Sequence, residues 1–387
     1  LTLRKICVFI GSRANYSSIR SVMKAVQDNS DLELQLVVGA SALLERFGRV
    51  EDLIKKDGFI PNYTFHNIIE GESPTTMAQS TGLGIIEMAM VLRNIKPDFV
   101  IIVGDRFEMM AITIAAAYMN IRIAHTMGGE VTGSIDESIR HAITKFAHVH
   151  FPANEEAKDR IIKLGEDKKM VFNVGCPRID LVEDTIKRKS IGKMNDVLIK
   201  YGGVGQPIDL EKPFLMVCQH PVTTEYENNR WHIEQTLEAL SKLNIQTLML
   251  WPNVDAGSDD ISKGIRTFRE RKNPEWLYVV KNLPSEFYFN LMNQTKCLVG
   301  NSSAGIREGA YIGTPVVNIG MRQMKRMRGD NVIDVDYKSS EIVSAVKMQL
   351  ENGKYKSNHI YGDGKAGEKI TEILAYIDPP VQKVICY

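Results

Sequence analysis

The chain predicts an α/β fold of two doubly wound halves, and three observations predict it. Short continuous apolar runs alternate with helix-period stretches along the whole sequence. A polar segment at 187–212, carrying Gly202, Gly203 and Gly205, interrupts that alternation near the middle. The 387 residues are too many for one ordinary core and suit two domains of roughly 180 residues each. Continuous rather than alternating apolar runs mean strands buried on both faces, hence parallel sheets covered by helices.

Taken in order, residues 6–10 form an apolar run that Gly11-Ser12-Arg13 breaks, and 17–28 has helix periodicity. Strands are predicted at 32–38, 99–103, 121–125 and 149–151, with helical stretches following them. After the polar segment the alternation restarts, with strands at 214–218, 246–251, 277–280, 297–299 and 316–319 and helices including 232–243 and 285–292. This places a first Rossmann-like domain at 1–186, a second at 187–365, and a final helical piece at 366–387 returning to the first. The two domains are expected to face a cleft.

Composition narrows the function. Hydrophobic residues at 44% and charged residues at 25% describe a globular protein, and a formal net charge of +1 supplies no global field toward nucleic acid or membrane. Any anion must be held by a local site. Cys7, Cys176, Cys218, Cys297 and Cys386 are widely spaced, odd in number and never paired as CxxC, so buried reduced thiols are expected and a metal site is not. The sequence contains no run of about 18 apolar residues and no signal-like N-terminal stretch, which makes a cytoplasmic protein the expectation. Neither half carries GxGxxG or GxxxxGK[ST], which argues against a standard dinucleotide dehydrogenase or a P-loop enzyme.

Open parallel sheets bind ligands at the carboxyl ends of their strands. Those ends are unusually polar here: Gly104-Asp105-Arg106-Phe107-Glu108, Met127-Gly128-Gly129-Glu130, Gln219-His220-Pro221, Pro252-Asn253, Gly300-Asn301-Ser302-Ser303 and Gly320-Met321-Arg322. Ser302 and Ser303 stand at a strand-to-helix turn, where free N–H groups suit a phosphate; a plain N-cap is the simpler alternative. Glu308 lies just inside the following helix, as a ribose-diol acceptor or an ordinary helix acid. Arg13 and Arg322 each follow a strand, and a guanidinium fork fits a diphosphate. Asn253 is either a nucleobase or phosphate contact or a turn residue. Asp105 and His220 are the acid–base candidates, with Glu130 and Glu137 as further carboxylates that could equally cap helices.

These residues resemble a known family. Gly104-Asp105-Arg106-Phe107, Gly128-Gly129-Glu130-Val131, Ser138-Ile139-Arg140-His141, Gln219-His220-Pro221-Val222-Thr223-Thr224, Pro252-Asn253-Val254-Asp255-Ala256-Gly257-Ser258, Gly300-Asn301-Ser302-Ser303 and Ile360-Tyr361-Gly362-Asp363-Gly364 are similar, in the same order, to signatures of the hydrolysing UDP-N-acetylglucosamine 2-epimerases. That group includes sialic-acid and legionaminic-acid pathway enzymes. The resemblance implies a glycosyltransferase-B-like fold, a nucleotide-sugar substrate and a homodimer or homotetramer. It also implies elimination of the diphosphate to a glycal followed by hydration, with no metal or redox cofactor. By motif, Asp105, Glu137 and His220 belong to the catalytic set, with Arg106 in support. Arg13, Asn253, Ser302, Ser303, Glu308 and Arg322 hold the nucleotide.

Two positions depart from the family pattern. Asn15 stands where an acid is usual, and Met127 stands where the family has a catalytic acid. Either Glu130 or Glu137 covers the missing role, or the substrate or the reaction differs. An apolar Met and a neutral Asn suit a less hydroxylated sugar, such as a 6-deoxy-4-acetamido one. A non-hydrolysing 2-epimerase would release an epimerised nucleotide sugar instead of free sugar. A glycosyltransferase of the same fold would need an acceptor, and a catalytically altered binding protein would hold UDP without turnover.

Overall fold

The computed structural model describes residues 3–45, 49–70, 74–132, 135–188, 194–252, 257–281 and 283–386. The chain divides into two compact units: 1–131, 135–181 and 361–387 form the first, and 132–134 with 182–360 form the second.

The first unit is built on six parallel strands: β1 (Arg4–Ile10), β2 (Leu32–Val38), β3 (Tyr63–Thr64), β4 (Phe99–Val103), β5 (Arg122–Thr126) and β6 (Val149–Phe151). They lie in the order β3-β2-β1-β4-β5-β6. The second unit repeats the plan with β7 (Leu215–Cys218), β8 (Thr247–Leu250), β9 (Leu277–Val280), β10 (Cys297–Gly300), β11 (Val316–Ile319) and β12 (Val332–Val335), in the order β12-β11-β10-β7-β8-β9. Numbered within its own unit and read from the third strand, each sheet runs 3-2-1-4-5-6. The strand order therefore reverses between β1 and β4 in one unit and between β7 and β10 in the other. A doubly wound sheet leaves its ligand crevice at that reversal.

The central strands are buried as the apolar runs require: every residue of β4, β7, β10 and β11 is buried. The first core gathers Phe9, Val37, Val100, Ile102, Met109 and Ile112, and the second Leu215, Val217, Leu240, Val299 and Val317. Two strands escaped the sequence pattern. β3 has two residues, and β12 is an edge strand whose Val-Ile-Asp-Val is only partly buried. The helix expected over 17–28 is split into Arg13–Ser17 and Arg20–Asp28, because Ile19 leaves helical geometry at φ −132°. The polar segment 187–212 contains a helix, Met194–Tyr201, that buries Leu198.

Residues 361–386 return to the first unit. The helix Ala366–Tyr376 packs on Arg20–Asp28, and Gly367 permits the contact, since a Cβ there would lie 2.8 Å from the Ser21 carbonyl carbon. The Asp180 carboxylate accepts from the Ala366 and Gly367 amides at 2.9 and 2.7 Å, satisfying two otherwise orphaned donors at the helix start. Beyond it the chain is held by Arg122 Nε on the Pro379 carbonyl at 2.7 Å, by His148 Nε2 on Val381 O at 2.8 Å and by Lys383, whose ammonium pairs with buried Glu166. Among the described residues no helix is long and apolar enough to cross a membrane.

Candidate functional site

At the reversal in the first unit, β1 ends in Gly11 and Ser12, and β4 ends in Gly104 and Asp105. Ser12 caps the short helix Arg13–Ser17 by accepting from the Asn15 amide at 3.2 Å. The Asn15 side chain turns back and accepts from Gly11 N at 3.0 Å. Gly11 has no room for a side chain: a Cβ would sit 2.8 Å from Cγ of Glu108. Glu108 opens the helix Phe107–Tyr118, is 1% exposed and accepts from Arg106 Nε at 2.8 Å. A carboxylate thus lies beneath the β1 turn, paired with an arginine that is itself half in solvent.

Asp105 is bound by Arg140, a residue in the helix Ile135–Phe146 that is almost wholly buried. Arg140 Nη1 also donates to the Glu130 carbonyl at 2.8 Å. One guanidinium therefore joins the β4 end to the β5 loop. Glu130 is buried in that loop, while Glu137 is partly buried and lies 3.8 Å from His141 Nε2. His125, at 0% exposure, donates from Nε2 to the Gly104 carbonyl, 2.8 Å away, and burial depresses its pKa to about 3. Gly128 makes room for that ring, since a Cβ would come 2.8 Å from its Nδ1.

Met127 is buried with φ +58°, a left-handed conformation uncommon outside glycine, and its amide donates to the Phe151 carbonyl at 2.9 Å. Its sulfur lies 3.6 Å from the buried thiol of Cys176. The position is apolar as well as uncharged, and its neighbour is soft and polarisable.

In the second unit the reversal brings the β7 end, Gln219-His220, against the β10 end, Gly300-Asn301. Gly300 holds φ +133°, and a Cβ there would meet the Cys218 carbonyl oxygen at 2.2 Å, so glycine sets the closeness of the two strand ends. The fully buried Asn301 side chain grips both backbone groups of His220: Oδ1 accepts from His220 N at 2.7 Å and Nδ2 donates to its carbonyl at 2.9 Å. His220 Nε2 lies 3.4 Å from Cys218 Sγ. Burial, and secondarily the Arg322 charge, drive its pKa down to about 3.

Ser302 caps the four-residue helix Ser303–Ile306, accepting from Ala304 N at 3.3 Å. Glu308 starts the next helix, Glu308–Ile312, at 1% exposure. Arg322 Nη1 and Gln323 Nε2 both donate to the Asn301 carbonyl, at 3.1 and 2.9 Å. The second unit thus gathers His220, Ser302, Ser303, Glu308 and Arg322 around β7, β10 and β11, and the first gathers Arg13, Asp105, Arg106, Glu130 and Glu137 around β1, β4 and β5. Asn253 lies outside the described residues.

Sequence reasoning passed over four participants: Glu108, Arg140, Cys218 and Asn301. A signal existed for Arg140. With Ile143 and Thr144 it occupies the buried stripe of its helix, where an unpaired arginine is not tolerated. The others are read as strand-end and helix-start residues until the sheet order is known.

A family model described as UDP-N-acetylglucosamine 2-epimerase matches residues 24–375. A protein of Legionella pneumophila named UDP-N,N'-diacetylbacillosamine 2-epimerase (hydrolyzing) is 32% identical over 375 residues, covering 97% of this chain and 96% of the relative. A GDP/UDP-N,N'-diacetylbacillosamine 2-epimerase (hydrolyzing) of Campylobacter jejuni is 30% identical over 362 residues, covering 92% and 90%. The crystal structure of a Neisseria meningitidis UDP-GlcNAc 2-epimerase bound to UDP-GlcNAc superimposes with a TM-score of 0.80 at 16% identity, over 96% of this chain and 99% of that one. The two six-stranded parallel sheets with flanking helices are the glycosyltransferase-B-like arrangement of that structure.

Proposed function

The chain belongs to the UDP-N-acetylglucosamine 2-epimerase family, and on that premise we propose that it is a hydrolysing 2-epimerase of a UDP-linked, N-acetylated sugar, with a 2,4-diacetamido-6-deoxy sugar preferred over plain N-acetylglucosamine. The observation that carries the preference is the Met127–Cys176 sulfur contact. It puts a dry, uncharged wall where the family resemblance implies an acid, and a methyl or acetamido substituent suits such a wall better than a hydroxyl. The relatives in Legionella pneumophila and Campylobacter jejuni carry names of the same kind, which supports the reading.

In the proposed route a base removes the C2 proton while the C1–O bond breaks. The C1–C2 double bond forms and UDP leaves with the electron pair. Water then adds across the glycal, oxygen to C1 and a proton to C2 on the opposite face, giving the free manno-configured sugar. The residues available for proton transfer in the first unit are Asp105, Glu130 and Glu137. Asp105 is pinned by Arg140, whereas Glu137 is partly open to solvent. Arg13 is assigned with Ser302, Ser303, Glu308, Arg322 and Asn253 to the nucleotide, while His220 belongs to the catalytic set and Arg106 supports it. Buried donors and guanidinium groups stabilise the charge that grows on a departing diphosphate.

The test is proton NMR in D2O with UDP-N-acetylglucosamine and with its 2,4-diacetamido-6-deoxy analogue. Free manno-configured sugar bearing deuterium at C2, formed faster from the analogue, is the expected result. An epimerised sugar still joined to UDP would replace this reading with the non-hydrolysing one. UDP binding without turnover of either sugar would leave a binding protein.

A further inference from the structure

We infer that Cys218 is a positioning residue for His220: its thiol donates to the imidazole Nε2 and fixes the ring as the tautomer that carries its proton on Nδ1. The inference rests on the reading that His220 belongs to the catalytic set of the proposed epimerase.

Direction along a short chain of hydrogen bonds carries the argument. Ser302 Oγ accepts from Ala304 N at 3.3 Å as it caps its helix, so the hydroxyl proton is left to point elsewhere. The hydroxyls of Ser302 and, more weakly, Tyr288 hydrogen-bond the Cys218 side chain and, with the Arg322 charge, oppose the effect of burial, as donors to sulfur do. With its acceptor side taken, the thiol has its own proton to give, and Nε2 of His220 stands 3.4 Å away. Burial raises the Cys218 thiol above its usual range, so the sulfur keeps that proton, and burial keeps the imidazole neutral. A neutral imidazole has one donor and one acceptor nitrogen, so an Nε2 that accepts places the proton on Nδ1.

The backbone leaves the ring little freedom to choose otherwise. The Asn301 side chain holds the amide and the carbonyl of His220, and Gly300 brings β10 close against the Cys218 carbonyl. Cys218 and His220 are also two residues apart at the end of a strand, so their side chains leave the same face.

The consequence is a division of labour. A ring with its proton on Nδ1 and its Nε2 occupied by the thiol has no base nitrogen to spare. It does not take the C2 proton, which falls to a carboxylate of the first unit.

The experiment uses the full-length protein with 13C,15N-labelled histidine, in the presence of UDP, with His220→Gln to identify the ring signals. The Nδ1–H tautomer is expected in the wild type and in Cys218→Ser, whose hydroxyl also donates. Cys218→Ala and Cys218→Val are expected to show mixed or inverted tautomers. Their kcat should fall by about tenfold with KM changed by less than about twofold, while Cys218→Ser stays within about threefold of wild type. Far-UV circular dichroism confirms folding, and two apolar replacements guard against the failure of either. An Nε2–H ring in the wild type, or an unchanged ring in Cys218→Ala, overturns the inference. If no sugar is turned over, the ring signals still decide the role of Cys218, and only the proposed reaction fails.

Discussion

Arg140 binds Asp105 at the end of β4 and the Glu130 carbonyl in the loop after β5 with one buried guanidinium. Removing it strands a carboxylate that is only 23% exposed and frees the loop at once. Arg140→Met is expected to lower the stability of the first unit by about 3 kcal/mol and turnover by at least about 100-fold. Arg140→Lys should recover part of the stability but little of the rate, because an ammonium cannot reach both partners in the same fork geometry. Chemical denaturation and steady-state kinetics on the same preparations check this, and a fully active Arg140→Lys would count against it.

Restoring an acid at 127 should harm the protein. Met127→Glu places a carboxyl against the Cys176 sulfur in a buried, left-handed position. A loss of about 2–3 kcal/mol is expected, with no gain in turnover of UDP-N-acetylglucosamine. A variant that is both stable and faster on that substrate would mean that the wall is permissive and that the sugar preference has another origin.

Gly300→Ala tests the closeness of β7 and β10. The added methyl would meet the Cys218 carbonyl and would also have to hold φ +133°. The expected cost is about 3 kcal/mol or more in the second unit, with UDP binding weakened by roughly tenfold as His220 and Asn301 lose register. Isothermal titration with UDP and a thermal melt are sufficient; wild-type affinity and melting would remove Gly300 from the account.

Acid should act early. His125 and His220 have folded pKa values of about 3 against an ordinary 6.5, because burial disfavours the charged ring. Their contribution is fully present above 6.5 and is lost as the pH falls from there toward 3, since only the unfolded chain takes up the protons. Each such histidine removes about 1.4 kcal/mol per pH unit once well below 6.5. Glu166 adds a later limb. Burial alone would raise it, but hydrogen bonds from His150, Lys145 and Lys383 win and lower it to about 2, so its contribution fades between 4.5 and 2. Calorimetry from pH 7.5 to 5 should show falling transition temperatures in both units, and an unchanged pair of transitions would contradict the assignment.

The parallel sheets were legible because β4, β7, β10 and β11 are buried on both faces and so are written as unbroken apolar runs. β3 and β12 were not, because an edge strand need not be apolar throughout. The polar strand ends pointed to Asp105, His220 and Ser302, since any polar residue at the end of a buried strand stands out. Asn301 lies in the same stretch, yet its grip on His220 depends on β7 and β10 being neighbours, which spacing along the chain does not reveal. Glu108 is hidden for the same reason: only the pairing of β1 with β4 puts it under Gly11.

The return of 361–387 to the first unit has a consequence for synthesis on the ribosome. All six strands of the first sheet emerge before residue 152, but the helix that covers Arg20–Asp28, and Lys383, which joins Lys145 and His150 on Glu166, emerge only after the second unit. Apart from 132–134, the second unit lies between them as one stretch, 182–360, and can close on its own as it leaves the tunnel. The earlier-made half must therefore wait, with the helix Arg20–Asp28 uncovered, until the later-made half is complete.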